Sequence, residues 1–271
     1  MIALLGYLGG PFGLSGLKQI CSGTGNAALG FPRASGLLIL NDPATNRPFA
    51  VMDAAAISAA RTAAVSGLAL RLLAPDAARS IAVIGCGELA HAHLAMLAAV
   101  FGADRFGLVA YDPDAGRLAA LTAAAQALGI ACMPAGSVEA AVREGDIVLP
   151  ATTAEAPHIR REWLRDNALY CAVSLLDAEL DIYRAARLIM VDDLHQCLAE
   201  GRPLDRLQRA GQIDRARIVE IGAWLASPGY LTGDAAPVVF NPMGTVITDL
   251  AAGLAVFEAA VGADLGTRLP L

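Results

Sequence analysis

The sequence predicts an α/β protein, a doubly wound parallel sheet inserted into a smaller α+β domain. Three observations predict it. From Ser80 onward, short apolar runs without polar alternation recur between helical stretches, the pattern of strands buried on both faces. The first of these runs passes straight into Gly85-Cys86-Gly87-Glu88-Leu89-Ala90, where a helix opens. The flanking segments read differently, with Gly/Pro turns between strand-like pieces at one end and a lone helix at the other. Together these features specify a Rossmann-type unit.

The elements follow in order. Met1–Leu8 lacks a basic region and a cleavage site, so it reads as a strand and not as a signal peptide. Turns at Gly9-Gly10-Pro11, Ser22-Gly23-Thr24-Gly25-Asn26 and Asn41-Asp42-Pro43 separate further strands, notably Gly36–Leu40. A long helix over Ala54–Leu73 stops before Pro75. Strands are then expected at Ser80–Cys86, Phe106–Tyr111, Gly129–Met133, Asp146–Ala151, Ala168–Ser174 and Leu188–Val191. Helices are expected at Glu88–Phe101, Asp114–Leu128 and Ser137–Glu144, the last with Ser137 as N-cap. A closing helix spans Thr245–Val261. The expected domains are 1–75 with 240–271 for substrate and dimerisation, and 76–239 for dinucleotide binding.

Composition removes several classes. Hydrophobic residues reach 56% and charged ones 17%, too apolar for a disordered chain. No uninterrupted apolar run reaches the roughly 18 residues of a spanning helix, so no membrane partner is expected. The net charge of −6 and the lack of a basic stripe argue against nucleic acid. Five cysteines without CxxC spacing read as reduced thiols in a cytoplasmic protein. His91 and His93 are two apart on a helix and face different ways, so no metal pair is expected.

The Gly85–Ala90 stretch is the sharpest motif. Gly85 permits the tight turn, Gly87 lets a pyrophosphate approach the backbone, and Ala90 allows close helix–strand packing. The plainer alternative is a turn that binds nothing. Asp112 ends the second strand, where a carboxylate hydrogen-bonds the ribose hydroxyls and repels a 2′-phosphate. NAD is therefore expected over NADP, with Arg117 nearby; the alternative makes Asp112 the cap of the next helix. Arg61, among small apolar residues, is expensive to bury without an anion. It is read as a carboxylate or phosphate ligand, or as half of an internal salt bridge. Lys18, taken alone, reads as a surface lysine on a strand. Asp177 follows the fifth strand at the carboxyl edge and is a candidate general base. Thr152 and Thr153 follow the fourth strand at the same edge. His158 and His195 lie near strand ends.

In this order the motifs resemble the ornithine cyclodeaminase/mu-crystallin family. The resemblance rests on Ile57-Ser58-Ala59-Ala60-Arg61-Thr62-Ala63-Ala64, Gly16-Leu17-Lys18 with Gly25-Asn26, and Val239-Phe240-Asn241-Pro242-Met243-Gly244 followed by Thr248-Asp249-Leu250-Ala251. Within the family the chain is most similar to the N-(2-amino-2-carboxyethyl)-L-glutamate dehydrogenase branch. That likeness is carried by Phe31-Pro32-Arg33-Ala34-Ser35, Leu40-Asn41-Asp42, Ala151–Ile159 and Val191-Asp192-Asp193-Leu194-His195. It departs from the branch at Leu176, where arginine is common, and at Asn241 and Met243. The amino-terminal segment is expected to be short for this family.

The resemblance implies an NAD-dependent oxidoreductase working on the C–N bond of an amino acid. It implies that Asp177 and Lys18 are catalytic and that Lys18, Arg61 and Arg33 bind substrate. It implies cofactor contacts from Arg61, Gly85, Gly87, Glu88, Leu89, Asp112, Thr152, Ser174 and Asn241. A homodimer acting on a small amino acid is expected. Ornithine cyclodeamination, imine reduction and a non-catalytic, crystallin-like nucleotide binder are the other readings.

Overall fold

The computed structural model describes residues 1–23, 25–199, 201–229 and 236–269; Thr24 of the second predicted turn lies outside them. The chain divides into two compact units, residues 1–61 with 244–271, and residues 62–243.

The discontinuous unit is an antiparallel meander of β1 (Ile2–Leu8), β2 (Leu14–Ser22), β3 (Ala34–Asp42) and β4 (Arg47–Asp53), in that order. It also holds the start of α1 (Ala54–Leu73) and all of the closing helix, α9 (Val246–Gly262). The core on one face of this sheet is Leu14, Leu38, Leu40, Ala54, Ile57 and Leu250. Strand alternation decides which side chains enter it: Leu14, Gly16 and Lys18 of β2 are buried, whereas Ser15 and Leu17 are less so. The other face carries an apolar row in register, Leu5 beside Leu17, Leu17 beside Ile39, and Ile39 beside Val51.

The second unit is one eight-stranded sheet, every pairing parallel. Its strands are β5 (Ser80–Ile84), β6 (Gly107–Tyr111), β7 (Cys132–Pro134), β8 (Ile147–Pro150), β9 (Leu169–Cys171), β10 (Leu188–Val191), β11 (Ile218–Glu220) and β12 (Val238–Asn241). They lie in the order β11-β10-β12-β9-β8-β5-β6-β7. The helices are α2 (Glu88–Phe101), α3 (Ala115–Ala127), α4 (Val138–Glu144), α5 (Leu180–Ala185), α6 (Leu194–Cys197), α7 (Pro203–Arg209) and α8 (Ile221–Ala226).

β5 shows why these strands lack polar alternation. Ile81 and Val83 join a core with Leu70 of α1, Leu94 of α2 and Leu121 of α3. Ala82 and Ile84 join the opposite core with Val142 of α4, Ile182 of α5 and Leu204 of α7. Both faces are covered, so each side chain must be apolar. Burial of each large aliphatic residue contributes about 1.5–3 kcal/mol.

Two features differ from the sequence expectation. The division between units falls between Arg61 and Thr62, not near residue 75. The second half of α1 is the cause, since Ala63, Ala69, Leu70 and Leu73 are buried in the parallel-sheet core. The sheet also has eight strands where six are predicted. β11 and β12 are short, and the apolar run of β12 is only Val238-Val239-Phe240 after Pro237. β12 nevertheless sits between β9 and β10, inside the sheet.

Candidate functional site

β5 and β8 are neighbours from which the chain winds outward in opposite directions. The crevice at such a switch point is where open α/β sheets take ligands. Gly85 leaves β5 there with φ of +87°, and a Cβ on it would meet the Ala151 carbonyl oxygen at 2.7 Å. Only glycine fits that turn. Gly87 is the N-cap of α2, and a Cβ on it would meet nothing within 4 Å, leaving room beside the first helical N–H groups. Glu88 is exposed, and Leu89 is half-buried, its carbonyl accepting from His93 Nδ1 at 2.7 Å.

Asp112 is buried and accepts from two backbone N–H groups, Cys86 at 2.7 Å and Asp114 at 2.8 Å. It ties the end of β6 to the glycine turn. The cap of α3 is Asp114, which accepts from Gly116 N at 2.8 Å and Arg117 N at 3.1 Å. Capping is therefore not the role of Asp112. The Arg117 guanidinium lies 3.8 Å from Asp114 in an exposed pair. Burial, with the charge of Asp112 adding to it, pushes the Cys86 thiol up to about 12.

A second cluster lies past β8 and β9. The Thr152 N–H donates to Ser174 Oγ at 3.2 Å, and the Thr152 hydroxyl donates to Asp177 Oδ1. The Asp177 carbonyl accepts from the backbone N–H of His158 and of Ile159, both at 2.8 Å. Asp177 is only 1% exposed. Its Oδ2 is buried and has no hydrogen-bond partner among the described residues, a costly state for a carboxylate oxygen. His158 Nε2 stands 3.8 Å from Oδ1. The buried Tyr170 hydroxyl is likewise unpartnered among the described residues. Its pKa is driven well up, first by burial and then by the charges of Tyr183 and Asp177. Asn241 is buried, its Oδ1 accepting from the Tyr183 hydroxyl at 3.0 Å and its Nδ2 donating to Cys197 Sγ at 3.6 Å. Its side chain is thus engaged within this unit.

The third cluster belongs to the discontinuous unit. Lys18 is 3% exposed, and its Nζ lies 2.6 Å from Asp249 Oδ2. Arg61 Nε lies 2.9 Å from Asp249 Oδ1. Ser58 Oγ accepts from both cations at 3.4 Å. The surface position that the sequence alone suggests for Lys18 is corrected by the inward phase of β2 and by the counter-charge from α9. Burial holds the Lys18 ammonium below the usual lysine value; Arg61 adds to this, while the hydrogen bond and charge of Asp249 oppose it. The salt-bridge reading of Arg61 is met, yet two cations share one carboxylate. That excess of positive charge suits an incoming anion. The guanidinium lies over Gly244, where a Cβ would come within 2.4 Å of Nη1. Arg33 is exposed before β3, its carbonyl accepting from Gly23 N at 2.9 Å. Among the described hydrogen bonds and ion pairs it takes no part in this cluster.

Sequence reasoning gave Asp249 no role. The available signal was an acid near the start of an otherwise apolar helix in which Glu258 is the only other charge.

The sequence profile of the ornithine cyclodeaminase/mu-crystallin family matches residues 3–264. N-((2S)-2-amino-2-carboxyethyl)-L-glutamate dehydrogenase of Staphylococcus aureus is 31% identical over 278 residues, covering 100% of this chain and 82% of that protein. The crystal structure of CmnK superposes with a TM-score of 0.89 at 31% identity, covering 99% of this chain and 81% of that one. An archaeal alanine dehydrogenase dimer with bound NAD superposes with a TM-score of 0.84 at 26% identity, covering 99% and 89%. This chain belongs to the ornithine cyclodeaminase/mu-crystallin family.

Proposed function

We propose that this protein is an NAD-dependent oxidoreductase that opens the C–N bond of a secondary amino acid. The substrate we assign is N-(2-amino-2-carboxyethyl)-L-glutamate, and the products are L-2,3-diaminopropionate and 2-oxoglutarate. In this reading the diaminopropionate feeds the assembly of siderophores or other secondary metabolites. The observation that carries the proposal is Asp177, a buried carboxylate with one oxygen lacking a partner among the described residues, at the carboxyl edge of a parallel sheet. The name of the 31% identical relative supports the choice of substrate.

The residues fit the cofactor. The Gly85 turn and the open space at Gly87 suit a pyrophosphate at the start of α2, and Asp112 suits unmodified ribose hydroxyls. Bound NAD⁺ supplies the acceptor for the hydride of the substrate α-carbon. Glu88, Leu89, Thr152, Ser174 and Asn241 are assigned to its neighbourhood, Asn241 through its backbone because its side chain is engaged elsewhere. Lys18 and Arg61 are assigned to a carboxylate, which balances their excess charge; Arg33 is a further substrate candidate. After oxidation the substrate holds a C=NH⁺ bond that keeps the amine proton. Asp177 takes a proton from the water that adds to its carbon, and the C–N bond then breaks to release amine and oxo acid. General-base assistance of this kind contributes about 10²–10⁴-fold.

The same reading includes a homodimer built on the open face of the β1–β4 sheet. The row Leu5, Leu17, Ile39 and Val51 crosses all four strands, and Leu5 is 80% exposed. An exposed apolar face of this kind can pair with its own copy about a two-fold axis. The five free thiols suit the cytoplasm.

The test is NAD⁺ reduction across secondary amino dicarboxylates and basic amino acids, with products identified by mass. NADH forming together with 2,3-diaminopropionate and 2-oxoglutarate is the expected result. Proline from ornithine would move the assignment to cyclodeamination, and no NADH with any amino acid would favour a binding protein.

A further inference from the structure

We propose that His158 is a positioning residue that carries protons between Asp177 and solvent. The inference rests on the reading of Asp177 as the acid/base. A buried base that takes a proton each turnover must also release it, and Asp177 is 1% exposed. Two side chains stand at its Oδ1. One is the Thr152 hydroxyl, which donates to it and itself accepts from Ala154 N at 3.0 Å. The other is His158, whose Nε2 is 3.8 Å away and whose side chain is 31% exposed. Of the two, only the imidazole offers a ring nitrogen that can take up and release a proton, and it reaches water.

The backbone holds this arrangement. The His158 and Ile159 N–H groups both donate to the Asp177 carbonyl, and Ile159 bridges to Ala178. The two segments are thus pinned to each other on both sides of the pair. His158 Nδ1 is 3.3 Å from the Ala156 carbonyl, so Nδ1 carries the proton of the neutral ring and Nε2 presents a lone pair towards Asp177. A proton gained at Nε2 gives an imidazolium facing a carboxylate. The gap of 3.8 Å exceeds a hydrogen bond; a small ring rotation or one water closes it.

The proton count closes. Hydride loss leaves a C=NH⁺ iminium that keeps the amine proton. Water adds its hydroxyl to that carbon and gives one proton to Asp177, and the remaining hydroxyl proton moves to nitrogen as the C–N bond breaks. The carboxylic acid passes that proton to Nε2, leaving carboxylate and imidazolium, and the imidazolium releases it to solvent. The other groups facing this path are few among the described residues. Tyr170 and Tyr183 lie near Asp177 and are held protonated by burial. Arg160 and Glu179, the neighbours along the bridged segments, pair with each other at 3.7 Å on the exposed side.

The experiment compares the parent, His158→Gln, His158→Ala and Asp177→Asn in rapid-mixing assays. The substrate is whichever amino acid reduces NAD⁺ in the screen above, beginning with N-(2-amino-2-carboxyethyl)-L-glutamate. For both His158 variants we expect NADH to form rapidly to one equivalent per site and then slowly. Steady-state kcat falls about 10- to 100-fold, the substrate KM falls with it because the slowed step follows NADH formation, NAD⁺ affinity holds, and the kcat–pH profile flattens. Added imidazole restores turnover to His158→Ala. Parent-like kcat and pH profile in both His158 variants, with Asp177→Asn inactive, would overturn the relay and leave the proposed function standing. Loss without a burst, without imidazole rescue and with weakened NAD⁺ binding would also overturn it, in favour of a structural role. Parent-like kcat in Asp177→Asn would remove the acid/base reading itself, and the relay with it.

Discussion

Lys18 and Asp249, 231 positions apart in the sequence, meet as an ion pair of 2.6 Å in an almost fully buried setting. The contact joins β2 to α9, and Arg61 approaches the other oxygen of the same carboxylate. Neither cation has a second carboxylate among the described salt bridges, so Asp249 alone offsets the two.

That arrangement predicts the effect of Asp249→Asn. The amide keeps the shape and loses the charge, leaving two neighbouring cations uncompensated. Breaking a buried pair in this way costs about 3–5 kcal/mol. Urea unfolding should show a loss of that order; a change below about 0.5 kcal/mol would mean that solvent already screens the cluster.

A second prediction concerns acid. His93 is 1% exposed and lies between the Leu89 carbonyl and Ser66 Oγ. Burial lowers its pKa, against the opposing effect of the Leu89 hydrogen bond. Its folded value lies below the unfolded value of about 6.5, so below that pH the unfolded chain binds the extra proton. Stability should fall as pH drops through about 6.5. His93→Gln should unfold with a weaker dependence on pH in this window. An unchanged slope would show that His93 does not govern it.

A third prediction uses Asp112. Its carboxylate, fixed by Cys86 N and Asp114 N, should make NAD⁺ bind better than NADP⁺, since apposed like charges cost several kcal/mol. Asp112→Ser should narrow the ratio while a hydroxyl keeps one backbone contact. Tighter NADP⁺ binding by the unmutated protein, seen by calorimetry, would contradict this.

The dimer gives a fourth. Leu5→Lys puts a charge at one end of the apolar row, at a position exposed in the single chain. Light scattering should give twice the chain mass for the parent and the chain mass for the variant, with little change in melting temperature. Monomeric parent protein would remove the dimer from the account.

The parallel unit was legible because its signals are local. Apolar strands need no partner to be recognised, and Gly85 and Gly87 announce a turn by composition. Ser137 caps α4 through Ala140 N as its spacing suggests. What escaped depends on tertiary contact. β12 is a four-residue strand whose neighbours β9 and β10 come from elsewhere in the chain. The burial of Lys18 follows from a helix more than 200 residues away. A lysine on an alternating strand is read as exposed until the acid opposite it is known. Asp249 was visible as an acid on an apolar helix, but its two partners were not.

The central claim is that Asp177 performs acid/base chemistry in an NAD-dependent reaction at a C–N bond. The most direct measurement is Asp177→Asn with N-(2-amino-2-carboxyethyl)-L-glutamate and NAD⁺, reading kcat and NAD⁺ affinity separately. The amide is nearly isosteric, so the account predicts unchanged NAD⁺ affinity and a kcat lowered about 10²–10⁴-fold. A kcat near that of the parent, with the same products, would contradict it.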